Sequence, residues 1–416
     1  MSGDSNLPDL GHSYPFVPLG SLLSRVESGW SPSCDPVPPA TDEWGVLKVS
    51  AVSSGRFIES EAKRLPEGMG TRPDLEVRPG DVLLTRANGV RSLVGVACYV
   101  STTRTQLLLS DKTLRVVPKA STDRAFLAML LSSQGVRRQI GSLLNGGTGQ
   151  NNISQADVRA LRVPDVPLEQ QRRIVAVHAA FERRIGVLEH LHEKLAAVAR
   201  ASLARELSAG RAHGVVPLKQ LLEAVQSGWS PVCDSAPPAP DERGVLRLSA
   251  ITSGTFVPEE AKRLPSGVVA RAALEVAAGD VLVSRANGVK ALVGVSCYVE
   301  EVRAGLYLPD LVFRLSPDPA HLDPKFLSLV LGSAEMRRQI DSVMRGTSGQ
   351  YKISKADIRR LSVPAMPLSE QHRIAAVQRG FERRAGVIRE QIAKLQVAQQ
   401  GVVEALLLGK PCAQAA

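Results

Sequence analysis

The chain spells one stretch of sequence almost twice: TRANGVRSLVGVACYV runs from Thr85 to Val100, and SRANGVKALVGVSCYV from Ser284 to Val299. The repetition is global. Ser28 matches Ser227, Arg86 matches Arg285, Cys98 matches Cys297 and Asp111 matches Asp310, all at a spacing of 199. One extra residue enters the second copy between Pro317 and Phe326, after which Phe126 matches Phe326, Gln150 matches Gln350 and Phe181 matches Phe381 at a spacing of 200. Solenoid repeats recur every ~20–50 residues as units that cannot fold alone. A period of this length instead means two copies of one domain, each large enough to bury its own core.

Within a copy the patterns change along the chain. A VPL segment (Val17 to Leu19; Val216 to Leu218) is followed by SGWSPSCDPVPPATDE or SGWSPVCDSAPPAPDE, where four prolines exclude a helix. Runs rich in β-branched residues follow and predict strands: Gly45 to Val52, Gly80 to Arg86, Leu93 to Val100 and Thr113 to Pro118, with Ala87-Asn88-Gly89 as the clearest turn between them. Helical patterns are expected over Asp123 to Ser133 and Gln134 to Leu144, before a glycine-rich loop. The module is therefore α+β. After Pro167 and Pro367, each placed at a first helical turn, a long helix is expected, ended by Gly210 or Gly409. Its apolar stripe reads Val177, Phe181, Ile185, Leu188, Leu191, Leu195 and Val198 in one copy. In the other it reads Val377, Phe381, Ala385, Ile388, Ile392, Leu395 and Val402, and this spacing suits a helix that packs lengthwise on another helix.

Charge narrows the function. Lys and Arg number 51 against 41 Asp and Glu, a surplus of +10 that favours a polyanionic partner. Aromatic residues are only 4% of the chain, which argues against a stacking platform for single strands and leaves duplex contact by loops and basic side chains. No apolar run reaches the ~18 residues of a membrane helix, and MSGDSNLPDL has no secretory pattern, so a cytoplasmic protein is expected. Cys34, Cys98, Cys233, Cys297 and Cys412 show no CxxC spacing, and none of the 7 histidines recurs in both copies, so no metal site is expected and the cysteines read as small buried hydrophobes.

Catalytic motifs are missing. There is no GxxxxGK[ST] loop, no GxGxxG after a strand, and no Asn-Pro-Pro-Tyr or Asp-Pro-Pro-Tyr segment of the kind amino-methyltransferases use. One set suggests a nuclease: Glu61 and Lys63 with Asp42 upstream, repeated as Glu260, Lys262 and Asp241, since two carboxylates and a lysine can hold magnesium and activate water. The same residues also suit a solvated acidic turn ahead of KRLP.

Two modules each followed by a long helix, with GDVLLTRANG and GDVLVSRANG, GGTGQNNIS and GTSGQYKIS, and VPDVPLEQQRRI and VPAMPLSEQHRI, closely resemble the specificity subunit of type I restriction-modification enzymes. The resemblance covers essentially the whole chain and departs from the family in how alike the two modules are. It implies target-recognition domains at 1–165 and 211–365, spacer helices at 166–210 and 366–410 pairing as an antiparallel coiled coil with pseudo-two-fold symmetry, and a tail at 411–416. Each domain would read half of a split duplex DNA target. Methyltransferase subunits, two of them, would dock on the scaffold, with a motor-nuclease subunit as an optional further partner. S-adenosylmethionine, ATP and magnesium would belong to those partners, and this chain would carry no cofactor and no catalytic residue. A stand-alone DNA-binding regulator is the main alternative, and the nuclease set a lesser one.

Side chains in sparsely covered loops are the base-reading candidates. Arg86 and Asn88, with Arg285 and Asn287, pair a residue that bonds guanine bidentately with one that bonds adenine, although the same residues suit a tight turn braced by the arginine. Arg91 and Lys290 are phosphate candidates. The glycine-rich loop offers Thr148, Gln150 and Asn151 in one copy and Ser348, Gln350 and Tyr351 in the other; alternatively, this loop only packs the module onto its helix. Arg137-Arg138-Gln139 and Arg337-Arg338-Gln339 are expected on a solvated helix face.

Overall fold

The computed structural model describes residues 14–144, 151–346 and 349–409. The chain divides into two units: residues through Glu189 together with those from Glu390, and His190–Arg389. Each contains one copy of the repeat, and each is α+β. In the first, an antiparallel sheet orders Leu23–Ser28, Thr113–Pro118, Val82–Thr85 and Ala97–Tyr99. A smaller sheet orders Ala62–Arg64, Gly45–Leu47 and Leu107–Leu108. The helices Arg124–Ser132 and Gln134–Leu143 cover the larger sheet, with Phe126, Leu127, Val136 and Ile140 in its core. Asp123 and Ser133 cap them, accepting from the amides of Phe126 and Val136, which is why each helix starts where it does. The second unit repeats the plan, with a sheet of Leu222–Ser227, Val312–Pro317, Val281–Ser284 and Ser296–Tyr298 under the helices Pro324–Leu331 and Ala334–Val343.

Two expected strands are shorter than their apolar runs. Gly45 to Val52 is a strand only through Leu47; Ser50–Ser53 is a helical turn whose Ala51 and Val52 are fully buried. A continuous apolar run buries equally well in either form, so periodicity cannot separate them. Leu93 to Val100 is a strand only over Ala97–Tyr99, and Arg91–Leu93 is a 3-10 turn. Thr113–Pro118 is a strand throughout, and carries a buried arginine. Arg115 lies 2.9 Å from Glu27 and 3.0 Å from Asp81, so its charge is neutralised inside the module.

The long helices are Leu168–Arg211 and Leu368–Leu407. Each is fastened to its module by a glutamine in its first turn. Gln171, 2% exposed, accepts from the amide of Asp123 at 2.7 Å and donates to the carbonyl of Val166 at 2.7 Å. Gln371 accepts from Asp323 at 2.9 Å and donates to Met366 at 2.8 Å and His321 at 2.9 Å. Within each unit the helical segments run antiparallel. In the first, Ile174 joins Val403 and Leu407 in the module core, and Gln399 donates to Glu182 at 2.7 Å. In the second, Arg373 pairs with Glu206 at 2.7 Å and Gln378 donates to Ala199, while Leu207 and Ile374 share one core.

The apolar stripe differs from the one read off the sequence. Ile185, Leu188 and Ile388 are buried, but Leu191, Val198 and Val377 are exposed, and the buried neighbour of Val377 is Gln378. Hydrogen-bonded glutamines occupy positions that a pattern of apolar residues alone assigns to valine. Gly210 does not stop its helix, which runs to Arg211. A Cβ there would lie 2.6 Å from the sulfur of Met366, so this glycine admits a close neighbour.

Candidate nucleic-acid interface

In the larger sheet of the first module, Ser28 lies opposite Leu114 and Thr85 opposite Thr113. The loops that leave Ser28, enter Thr113 and leave Thr85 therefore emerge from one end of the sheet. Just beyond Thr85, the amide of Arg86 donates to Lys112 and its carbonyl accepts from Ile153. Ala87–Asn88 then pairs antiparallel with Asn151–Asn152, with Asn88 opposite Asn151. Two candidate segments far apart in sequence thus form one short ribbon. The second module builds the same ribbon from Ala286–Asn287 and Tyr351–Lys352, with Asn287 opposite Tyr351. There Arg345 adds a bridge to Lys352 through amide bonds of 2.8 and 3.0 Å. Gln350 is exposed beside it. Thr148, Gln150 and Ser348 lie outside the described residues.

This ribbon replaces the turn expected at Ala87-Asn88-Gly89. The chain bends after Asn88, whose side-chain oxygen accepts from the amide of Val90 at 2.9 Å; Asn287 does the same for Val289 at 2.8 Å. Such an Asx turn uses the side-chain oxygen and leaves the NH2 group, a donor of two hydrogen bonds, uncommitted by the turn. Arg86 is half-buried, with one long bond of 3.5 Å to the carbonyl of Asp111. Arg285 repeats it at 3.4 Å to Asp310 and lies over the Phe313 ring at 5.6 Å. Arg91 is exposed and donates to the carbonyl of Gly141 at 2.5 Å, whereas exposed Lys290 makes no hydrogen bond or ion pair among the described residues.

The arginines expected on a solvated helix face divide. Arg137 donates to Val94 and Ser92, both at 2.6 Å, and burial lowers its pKa. Arg337 donates to Val293 at 2.5 Å and pairs with Asp341 at 2.6 Å. Both brace the loop after the ribbon, because a glycine-containing loop without side-chain cover needs its carbonyls satisfied. Gln139 and Gln339 bond both backbone groups of Arg162 and Ser362. Only Arg138 and Arg338 remain largely exposed.

The Ile-Ser pair after the ribbon serves packing. Ile153 and Ile353 are buried in their module cores. Ser154 and Ser354 start the helices Gln155–Ala160 and Lys355–Arg360 with reciprocal bonds to Asp157 and Asp357. Burial alone would raise the Asp357 pKa, but the hydroxyl and amide of Ser354 outweigh it and hold it below the usual carboxylate range. The motif thus divides into a half that builds the ribbon and a half that packs. Sequence reading missed Ser31 and Ser230, whose hydroxyls donate to the carboxylates of Asp111 and Asp310 beside the candidate arginines. Their recurrence in both copies was the available signal.

The nuclease set is not assembled as a metal centre. Ser50 donates to Glu61 at 2.6 Å and Lys48 lies 3.6 Å away; the hydroxyl first, then the lysine charge, hold this carboxylate below its ordinary range. Ser249 donates to Glu260 at 2.6 Å. Among the described residues, no three His, Cys, Asp or Glu are grouped to hold a metal ion. Cys98 and Cys297 are buried, and burial pushes both thiols up to about 12. Among the described residues no helix is long and apolar enough to cross a membrane.

No protein-family model matches the chain. It is 34% identical over 184 residues to the type I restriction enzyme EcoEI specificity subunit of Escherichia coli, a match spanning 44% of this chain and 31% of that protein. It is 22% identical over 355 residues to the EcoKI specificity subunit of Escherichia coli K12, spanning 79% of this chain and 73% of that one. Its fold is similar to that of a chain solved in work on complex assembly and conformational transition of the type I restriction-modification system, at a TM-score of 0.59 and 20% identity, covering 97% of this chain and 100% of that one. The specificity subunit of a type I system from M. genitalium superposes with a TM-score of 0.52 at 12% identity, over 98% of each chain. By sequence over most of its length and by fold over nearly all of it, the chain is similar to the specificity subunits of type I restriction enzymes, although it spans less than a third of the length of the relative it matches at 34% identity.

Proposed function

We propose that this chain is the DNA-recognition subunit of a type I restriction-modification enzyme, and that each module reads one half of a bipartite duplex target. The observation that carries this reading is the ribbon made twice. Arg86 and Asn88 stand beside Asn151, and Arg285 and Asn287 beside Tyr351, at the same end of the same sheet in both modules. Arginine, asparagine and a basic chain of +10 are the chemistry of base-edge and phosphate contact. Arg91, Lys290, Gln350 and the glycine-rich residues Thr148, Gln150 and Ser348 complete the proposed surface, with Lys290 the freer phosphate contact and Arg91 partly committed to Gly141.

The chain itself performs no chemistry. Two methyltransferase subunits, and in a restricting complex a motor-nuclease subunit, bring S-adenosylmethionine, ATP and magnesium and act in the cytoplasm. Alike ribbons imply related half-sites in inverted orientation, because equal modules address the two antiparallel strands in the same way. Co-purification with the products of neighbouring genes, followed by methylation sequencing in a host carrying the complex, tests this. The expected result is one split motif with related halves. An uninterrupted motif, or tight site-specific binding by the chain without partners and without methylation, would overturn it in favour of a stand-alone regulator.

A further inference from the structure

A third segment reaches the same end of the sheet in each module: the turn after Ser28 and Ser227, spelled GWSPS in one and GWSPV in the other. Its path is fixed. A Cβ on Gly29 would lie 2.1 Å from the carbonyl oxygen of Leu109, and one on Gly228 2.1 Å from that of Pro309, so only glycine lets the backbones approach this closely. The amides of Trp30 and Trp229 donate to Leu109 and Leu308 at 2.9 Å. Both tryptophans, together with Cys34 and Cys233, pack on the core of the smaller sheet. Between these anchors, Ser31 and Ser230 bond the carboxylates of Asp111 and Asp310, whose main-chain oxygens accept from Arg86 and Arg285. Turn and arginine therefore rest on one shared residue.

The modules part at the next position but one. The first has Ser33; the second has Val232, which is 89% exposed. A single exposed valine is ordinary on a protein surface. This one is held on a turn anchored at both ends, between Pro231 and the packed Cys233, and that turn shares Asp310 with the arginine proposed to read a base. The anchoring differs as well. Arg271 lies over the Trp229 ring at 5.0 Å, whereas its counterpart Arg72 is drawn to Asp74, a position that is Ala273 in the second module.

We propose that Val232 reads a thymine by contact with its 5-methyl group in the major groove, and that position 33 or 232 is a specificity-determining position the two modules spell differently. The assignment rests on duplex recognition by the modules as proposed above. An apolar side chain meets the thymine methyl favourably, while a serine hydroxyl has no such preference, so the two half-sites differ at the base this position faces.

The test uses the complex assembled with its methyltransferase subunits and a duplex carrying its methylated motif. Each thymine in turn is replaced by deoxyuridine, which removes only the methyl group, and affinity is measured. Wild-type complex is expected to weaken roughly fourfold at one position, the worth of one buried methyl group. Val232→Ser is expected to bind the thymine and uracil duplexes alike, and Val232→Thr, which keeps one methyl, to fall between. A motif with no methyl-sensitive thymine, or a sensitivity that survives Val232→Ser, overturns the assignment. A complex that recognises no bipartite motif overturns the recognition function itself, and this assignment with it.

Discussion

One difference between the modules falls on the ribbons themselves. Asn151-Asn152 in one module takes the same register as Tyr351-Lys352 in the other, while the asparagine and alanine opposite them, and the arginine just before these, are unchanged. Replacing Asn151-Asn152 by Tyr-Lys is therefore expected to shift the first half-site toward the second at one or two bases. A lost bidentate contact of ~1–3 kcal/mol is enough to redirect preference at a position. Methylation sequencing reads the outcome, and an unchanged motif from a folded, active complex refutes it. The types of these residues were legible in the sequence; their partnership was not. A strand of two residues carries no periodicity, and Asn88-Gly89 is by local preference a turn, so only the pairing with a distant segment decides the backbone there. Buried Arg115 was hidden for a related reason. Charge reads as exposure until its partners Glu27 and Asp81, distant in sequence, are placed beside it.

At the level of elements, helix starts were the legible part. Asp123 and Pro167 mark helix starts by local chemistry, and the strand Thr113–Pro118 is bounded by its own residues. What the sequence hid is how a module is fixed to its helix, because that depends on polar side chains which bury only when satisfied, such as Gln171 and Gln371. The second module adds a fastening that the first lacks. Lys325 is buried between Glu300 and Glu382, 2.9 Å from each, with the Tyr298 ring 5.2 Å away; the first module has Ala125 and Ser101 in place of Lys325 and Glu300. Burial acts to lower the Lys325 pKa, and the two carboxylates outweigh it and raise it. Its stabilisation is therefore fully present below the unfolded lysine value of ~10.4 and is lost as the pH rises through the higher folded value. Lys325→Ala leaves two acids adjacent and is expected to cost ~1–2 kcal/mol, less than a fully buried pair because both glutamates are half exposed. Adding Glu300→Ser restores the first module's arrangement and is expected to recover most of that loss. Urea unfolding of the full chain measures both variants, and a double variant no more stable than Lys325→Ala alone would show that the acids do not repel.

For the whole molecule, duplication was the most legible feature, since two copies of one domain predict two equivalent reading surfaces before any coordinate is known. The function of the long helices is the matter for experiment. At ~1.5 Å per residue, the 44 residues of Leu168–Arg211 and the 40 of Leu368–Leu407 extend ~66 and ~60 Å, lengths on the scale of two turns of duplex. Under the proposed function the unread gap between half-sites is set by helix length and not by base contact. Inserting one heptad after Leu195 and one after Leu395 lengthens each helix by ~10 Å, or ~3 base pairs at ~3.4 Å each. Because the segments run antiparallel within each unit, the paired insertions shift the pairing between them by one heptad and leave the outer contacts, Ile174 with Leu407 and Arg373 with Glu206, in register. The expected motif keeps both half-sites and gains a longer gap, with weaker binding because three base pairs also turn one half-site about the duplex axis. If the folded, assembled variant methylates a motif with the original gap, the helices do not set the spacing, and the contacts of the partner subunits must do so instead.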